Sequence, residues 1–161
     1  MPLRSELTLR VGVAADDVVC ARNFSRMWQD MDIPATQLRD DFIPWTLDRI
    51  REARATSAFR SVIAEIDGAI VGSACSNLTD DYPIYTEAAK RKIGVIWAVY
   101  VEREHRKRGI AKAMTQLILT YLREIGCDLA RLRASSTGAH VYRSLGFTAS
   151  NEMERRLDER D

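Results

Sequence analysis

Cysteine and histidine are scarce in this sequence, and those present are poorly spaced for a metal site. The 161 residues contain three cysteines and two histidines, and Cys20, Cys75 and Cys127 lie far apart without CxxC spacing. This pattern is typical of reduced core thiols in a cytoplasmic protein rather than of a disulfide framework. We expect no bound metal.

Long apolar runs and a strong net charge are also missing. No segment approaches the ~20 apolar residues needed to span a bilayer, and the amino terminus lacks the apolar block of a signal peptide. Lysine and arginine number 24 against 23 aspartates and glutamates, for a net charge of +1. This balance gives no support to a general affinity for nucleic acid or anionic membranes. We therefore expect a single domain over residues 1–161 that binds neither.

The periodicity of the apolar residues predicts a mixed α and β chain. Strands are expected at 7–13, at FRSVIAEI and AIVGSACSNL around an Asp67-Gly68 hairpin turn, at 93–101, at 129–134 and from Phe147 onward. Helices are expected after the capping residues Asp16 and Asp17, from about Thr36 to Ala55 with a break or bend at Pro44, at 110–125, and in STGAHVYRSL. TDDYPIYTEAAKRK (79–92) is interpreted as a loop. The fold class is α+β, a sheet with helices on its faces.

Positive charge is concentrated in one stretch, VYVEREHRKRGIAKAM, at residues 99–114. The apolar segment 93–101 before it predicts an interior strand covered on both faces, and an amphipathic helix pattern follows it. A helix start presents unpaired N–H groups and partial positive charge, and Gly109 would let the backbone approach an anion. The motif therefore predicts a pyrophosphate cradle, in which Ala111 keeps the first turn small and the cations are Arg106, Lys107, Arg108 and Lys112.

The same stretch resembles the acetyl-CoA motif of the GCN5-related N-acetyltransferases (GNAT), which is a strand ending in V-x-V, then R/Q-x-x-G-x-G/A, then a helix. The matching residues are Val99, Val101, Arg106, Gly109 and Ala111. A second block, ASSTGAHVYRSLGF (134–147), resembles the family's carboxyl-terminal motif through Ala134, Ser135, Gly138, Tyr142, Leu145, Gly146 and Phe147. The resemblance implies a GNAT-type mixed, mainly antiparallel central sheet with helices on both faces. It also implies an N-acetyltransferase that moves acetyl directly from acetyl-CoA to a primary amine of a small molecule or peptide.

The resemblance implies roles for individual residues. The backbone at Val99, Tyr100 and Val101 would pair with the pantetheine arm. The pyrophosphate would be held by the segment Arg106, Lys107, Arg108, Gly109, Ile110, Ala111 and Lys112, while Ser135 would cap the last helix or touch the cofactor. Tyr142 would protonate the departing thiolate, since a phenol with a pKa near 10 and a thiol near 8.5 can exchange a proton.

The chain also departs from the family pattern. Arg103 stands where the family often has proline, Ala111 where it often has glycine, and Ser135 where it frequently has asparagine. Strand 93–101 contains no Glu or Asp, although some members place a catalytic base there. The resemblance therefore assigns no general base to this chain.

The resemblance implies the acceptor side only in outline, because in this fold the first two helices and the loop before the central strand commonly wall the acceptor pocket. Trp28 and Trp97 are the candidate substrate residues, from a wider set of aromatics and carboxylates that suits a cationic or aromatic amine: Asp30, Asp32, Trp45, Asp80, Asp81, Tyr82 and Tyr85. The acceptor's identity, the use of longer acyl-CoAs and a homodimer are left open. Two other functions stay as alternatives: a catalytically silent CoA-binding protein, and a nucleic-acid module, against which the near-zero net charge counts.

Overall fold

Five strands and four α-helices occupy residues 6–79 and 92–155, the part of the chain that the computed structural model describes. In chain order they are β1 (Leu7–Val11), α1 (Asp17–Asp30), α2 (Phe42–Thr56), β2 (Arg60–Ile66), β3 (Ala69–Thr79), β4 (Ile93–Val101), α3 (Ile110–Glu124), β5 (Leu129–Leu132) and α4 (Ala139–Arg143). The predicted loop 79–92 lies, except for its two end residues, outside the described residues.

The strands form one mixed sheet in the order β1-β2-β3-β4-β5. The first three neighbouring pairs are antiparallel, and β4 and β5 are parallel. Asp67 and Gly68, both with positive φ (51° and 79°), connect β2 to β3, as a type I′ hairpin turn requires. β1 lies at the sheet edge, and β4 has a neighbour on each side, so the predicted interior position of β4 is confirmed.

Helices cover both faces of the sheet, with α1 and α2 on one and α3 on the other. Residues at every fourth position of α3 are almost fully buried against the sheet: Ile110, Met114, Ile118 and Leu122. Helix α3 and strand β4 come very close at Gly94, because a Cβ built there would lie 2.5 Å from Leu122. The predicted α+β class is confirmed. No helix in the described part of the chain is long and apolar enough to cross a bilayer.

Two predicted helix starts differ from the structure. The helix expected from Thr36 begins at Phe42, after a separate 3-10 turn at Ala35–Gln37. Pro44 therefore lies in the first turn of α2, where its missing N–H costs no intrahelical hydrogen bond. Asp16 precedes α1, but its carboxylate accepts hydrogen bonds from Arg10 (2.7 and 3.0 Å) and from the Val13 amide (2.8 Å) rather than capping the helix.

The closing strand predicted from Phe147 onward is wrong for residues 147–155, which form no strand. Gly146, with φ of 87°, ends α4 as predicted, and the Phe147 amide donates to the Tyr142 carbonyl. Phe147 then packs against the core on the α3 face. The following residues TASNEM are mostly small and polar, and Thr148 is their one β-branched or aromatic residue of the kind that favours a strand. The apolar character of Phe147 serves packing instead.

Candidate active site

β4 and β5 separate partway along their length. Their parallel pairing runs only from Ile93 opposite Leu129 to Ile96 opposite Leu132. On its other edge β4 stays paired with β3 as far as Val101. From Trp97 to Val101, one edge of β4 therefore has no strand beside it among the described residues, and we call this segment the open edge. The Val101 carbonyl already accepts a hydrogen bond from Arg106 Nε (2.8 Å). The other outward-facing backbone groups of the edge can pair with an extended ligand, as an added strand would.

A β-bulge lies at the beginning of the open edge. Ala98 has a φ of 51°, unusual for a residue other than glycine, and the register with β3 shifts there, from Cys75 opposite Trp97 to Ser73 opposite Tyr100. Trp97 and Ala98 consequently both pack on the α1 and α2 face, whereas Val99 packs on the α3 face. Bulges redirect side chains and are frequent beside active sites.

The chain continues from the open edge into the start of α3. After a 3-10 turn at Arg103–His105, Lys107 and Gly109 have positive φ of 60° and 78°. No described group accepts a hydrogen bond from the backbone amides of residues 107–112. Gly109 is the N-cap and has no side chain to cover these amides. We call residues 107–112 the amide turn, and its donors together with the helix dipole favour an anion.

The side chains of the amide turn divide between solvent and core. Lys107, Arg108 and Lys112 are exposed, whereas Ile110 is 3% exposed and belongs to the core, with Ala111 half-buried. Three exposed cations can therefore surround an anion, although Arg108 Nη1 already lies 3.0 Å from His105 Nδ1. Ile110 and Ala111 offer their backbone amides. The binding of a pyrophosphate by this segment stays a prediction.

Arg106 is engaged with other parts of the protein. Its Nε donates to the Val101 carbonyl (2.8 Å), and an Nη donates to Asp30 at the end of α1. Arg103 donates to the other Asp30 oxygen (2.6 Å). The Arg106 guanidinium, predicted to neutralise a bound anion, neutralises Asp30 here. Asp30 thus connects α1 to both ends of the 3-10 turn that leads to the amide turn.

The charge state of Asp30 follows from these contacts. Burial alone would raise its pKa, but the hydrogen bonds from Arg103 and Arg106 outweigh burial and hold the pKa below its ordinary value. The ion pairs are therefore present at neutral pH and weaken only as the pH falls through that lowered pKa. The sequence showed Asp30 as one carboxylate among several, and only the position of α1 reveals its partners.

Glu102 directly follows β4, and it was missed because a carboxylate was sought only within the strand. It forms an ion pair with Arg26 (2.5 Å), and the Tyr100 hydroxyl donates to its other oxygen (3.5 Å). Burial and then the nearby Glu102 raise the pKa of Tyr100. Arg26 already pairs with this carboxylate, and the general base stays unassigned.

Tyr142 lies on α4, the helix that follows β5. Its ring packs edge-on against Phe147, with centroids 6.0 Å apart. Burial raises its pKa above the ordinary value of a phenol, which keeps the hydroxyl protonated at neutral pH. Ser135 accepts a hydrogen bond from the Gly138 amide (3.0 Å) and so organises the turn into α4.

The two tryptophans predicted for the acceptor side are separated. Trp97 lines a cavity of about 340 Å³ whose walls come from α1, α2, β3 and β4, among them Phe24, Trp45, Ala53 and Asn77. Trp28 lies outside that lining, with its ring 6.0 Å from Phe24. Of the remaining candidates, Asp30 is bound to arginines and Asp32 is exposed. Asp80, Asp81, Tyr82 and Tyr85 lie outside the described residues.

Comparison with known proteins identifies the family of this chain. The model of the acetyltransferase (GNAT) family matches residues 24–147. A mycothiol acetyltransferase from Thermobispora bispora is 30% identical over 110 residues, which cover 65% of this chain and 36% of that protein. The chain thus spans about a third of the length of that relative.

Two solved structures share the fold over almost the whole chain. A GCN5-related N-acetyltransferase from Ralstonia eutropha JMP134 superposes with a TM-score of 0.82 at 22% identity, covering 96% of this chain and 100% of that one. A predicted acetyltransferase with acetyl-CoA from Clostridium acetobutylicum gives a TM-score of 0.83 at 24% identity, covering 96% and 99%. With the sequence match over residues 24–147, these likenesses show that the chain belongs to the acetyltransferase (GNAT) family.

Proposed function

We propose that this protein is an N-acetyltransferase that moves an acetyl group from acetyl-CoA directly to a primary amine of a small molecule or peptide. The observation that carries the proposal is the continuity of the open edge with the amide turn. An extended ligand with amide groups and a terminal pyrophosphate fits this surface, because the open edge offers backbone partners and the amide turn offers N–H donors beside three exposed cations.

The residues of this chain then have distinct tasks. Acetyl-CoA, when bound, supplies the acetyl group as a reactive thioester. The N–H donors of the open edge are held in place by the pairing of β4 with β3, so they can stabilise negative charge on an oxygen without reorganisation. Tyr142 holds a proton on its phenol oxygen and acts as the general acid. The amine loses its own proton to solvent or to an unassigned base.

The experiment that tests this function is an amine panel assayed with acetyl-CoA, in which free thiol is measured and the acetylated product is identified by mass spectrometry. We expect saturable thiol release that depends on the amine. Tight acetyl-CoA binding by calorimetry without thiol release for any amine would instead favour the silent CoA-binding alternative, which the neutralised Glu102 and the absence of a carboxylate in β4 leave open. Failure to bind acetyl-CoA would contradict both.

The cellular setting is part of the proposal. Cys20 and Cys75 are buried free thiols and Cys127 is a half-buried one, which suits a reducing compartment such as the cytoplasm. We propose a cytoplasmic enzyme whose partners are its acetyl donor and its amine acceptor, and a homodimer is a further proposal that sedimentation would test.

Loss of Arg106 should weaken acetyl-CoA binding through the position of the amide turn. We expect Arg106→Ala to cost about 0.5–2 kcal/mol of binding free energy, the range for a residue that acts on a site without touching its ligand. Asp30→Ala should weaken binding as well, because it releases the same turn from α1. The double variant should then lose less than the sum of the two single losses. Calorimetric titration measures all three.

The matched control is Asp41→Ala, which removes an exposed ion pair with Arg39 far from this turn and should leave the affinity unchanged. A gain in affinity in Asp30→Ala would contradict the expectation. It would mean that freeing the Arg106 guanidinium lets that side chain bind the anion directly.

A further inference from the structure

We infer, on the basis of the proposed function, that the acceptor is a small monoamine with an aromatic or similarly flat apolar body, and that this body binds in the cavity beside Trp97. The cavity of about 340 Å³ is at the low end of the range for ligand sites. It has room for a single ring with a short chain.

Aromatic side chains from three different elements form its walls. Phe24 of α1 meets Trp97 of β4 edge-on, with centroids 5.2 Å apart and an interplanar angle of 69°. Trp45 of α2 completes the set and is 36% exposed. The Trp97 Nε1–H donates to Asn77 Oδ1 (2.8 Å), so the indole is fixed in orientation and its one donor is already used. The rings therefore offer apolar surface to a ligand, and the Arg39 guanidinium lies over the Trp45 ring, 4.9 Å from its centroid.

The polar side chains of the lining are already hydrogen-bonded within the protein. Asn77 donates its amide to the Leu78 carbonyl (2.8 Å), Thr46 donates to a carbonyl one turn back (2.7 Å), and Thr56 donates likewise (2.9 Å). Ser57 is hydrogen-bonded to Thr56 (3.1 Å). A ligand rich in hydroxyl groups would give up hydrogen bonds to water here and find few donors in exchange. This argues against an amino sugar.

The charges of the lining cancel. Arg49 and Glu52 form an ion pair at 2.9 Å, and both side chains are more than half exposed. A polyamine needs several unpaired carboxylates. Glu52 is the one carboxylate in the described lining, and it is already paired with Arg49. A single amine group attached to an apolar body needs no such partner, because it must lose its charge before it reacts.

The cavity also has the right position for transfer. Trp97 forms part of its wall, and the next residue is Ala98, the bulge residue of the open edge. A ring that rests on Trp97 therefore places an attached amine close to the segment of β4 where the acetyl donor is proposed to bind. The cavity and the open edge share this one stretch of strand.

Comparison of four acceptors with acetyl-CoA present tests the inference: 2-phenylethylamine, a tripeptide beginning with phenylalanine, glucosamine and spermidine. We expect kcat/KM for 2-phenylethylamine to exceed that for glucosamine and for spermidine at least tenfold. The tripeptide carries the same aromatic ring next to a peptide amino terminus. Its kcat/KM relative to that of 2-phenylethylamine shows whether the enzyme prefers a free small amine or a peptide end. A preference for glucosamine or spermidine would overturn the inference.

Two cavity variants and one control extend the test to binding without turnover. Ala53→Phe fills the cavity, Trp45→Ala removes one wall, and Ala55→Phe adds the same ring on the exposed side of the same helix. Titration of 2-phenylethylamine into the protein, followed by tryptophan emission, should saturate in the wild type and in Ala55→Phe. We expect at least a tenfold weaker Kd in Trp45→Ala and no response in Ala53→Phe.

Equal Kd values in all four proteins, with thermal melts confirming that each is folded, would overturn the inference. This titration tests whether the amine binds in the cavity, and its result does not depend on catalysis. Absence of acetyl-CoA binding by calorimetry would instead contradict the acetyltransferase proposal, so the two failures are distinguishable.

Discussion

Gly109→Val is expected to abolish acetyl-CoA binding while the protein stays folded. Gly109 has a φ of 78°, and a Cβ built there meets no protein atom within 4 Å. Inside the protein the substitution therefore costs only backbone strain, about 1–2 kcal/mol for a left-handed residue with a side chain. The branched side chain would, however, stand in front of the amide turn, where the pyrophosphate is proposed to lie. Calorimetry should show at least a hundredfold loss of affinity.

Gly126→Val is the matched control for this prediction. Gly126, just beyond the other end of α3, has a φ of 86°, and a Cβ there also meets nothing within 4 Å. The two variants therefore carry similar backbone strain and should show a similar loss of thermal stability. Only Gly109→Val should lose acetyl-CoA binding. Normal affinity in Gly109→Val would remove the amide turn from the cofactor site.

Tyr142→Phe is expected to lower both kcat and kcat/KM by roughly 10²–10⁴, the usual contribution of a positioned general acid. The phenylalanine ring keeps the packing against Phe147, so acetyl-CoA affinity should stay nearly normal. Equal loss in both kinetic parameters is the mark of an interaction made in the transition state. If product release limits turnover, single-turnover rates measured by rapid quench are the appropriate comparison.

Tyr121→Phe controls for the loss of a tyrosine hydroxyl as such. The Tyr121 hydroxyl donates to the Ala58 carbonyl (2.9 Å), so its removal should lower stability without slowing the chemical step. A Tyr142→Phe enzyme that is folded and reacts at the wild-type single-turnover rate would exclude the general-acid role. The thiolate would then leave unassisted or take a proton from water.

The pH dependence gives a second check on Tyr142. Burial raises its pKa, so the phenol loses its proton only above the ordinary value near 10. We expect kcat to show no alkaline decline below about pH 9.5. An acidic limb should persist in Tyr142→Phe, because the amine must still lose a proton. An alkaline decline near neutral pH that disappears in the variant would contradict a raised pKa.

Local features of the sequence were sufficient for the parts of the fold that depend on local backbone conformation. Asp67-Gly68, Gly109, Gly126 and Gly146 all adopt the positive φ that their turn or cap requires, and the apolar periodicity of residues 110–125 predicted α3. A turn or a helix cap is decided by a few adjacent residues, so these features can be predicted without knowing what lies across the fold. The motif around Gly109 identified the family for the same reason.

Features that depend on partners distant in sequence needed the tertiary structure. Phe147 was predicted to begin a strand, but its apolar side chain completes the core because no neighbouring strand pairs with residues 147–155. The partner of Arg106 is Asp30, which is 76 residues away. Charge alone shows that Arg106 can bind an anion, and only the position of α1 decides which anion it meets.

The acceptor cavity shows the same division most clearly. The resemblance to the GNAT family implied which regions form the acceptor side, and Trp28 and Trp97 were equally good candidates there. The bulge at Ala98 and the register of β4 against β3 direct Trp97 toward Phe24 and Asn77, while Trp28 lies outside that cavity. The sequence by itself determined the family and the start of α3, because these depend on neighbouring residues. Only the tertiary structure decided which aromatic rings share a cavity, because strand register and helix packing set that geometry.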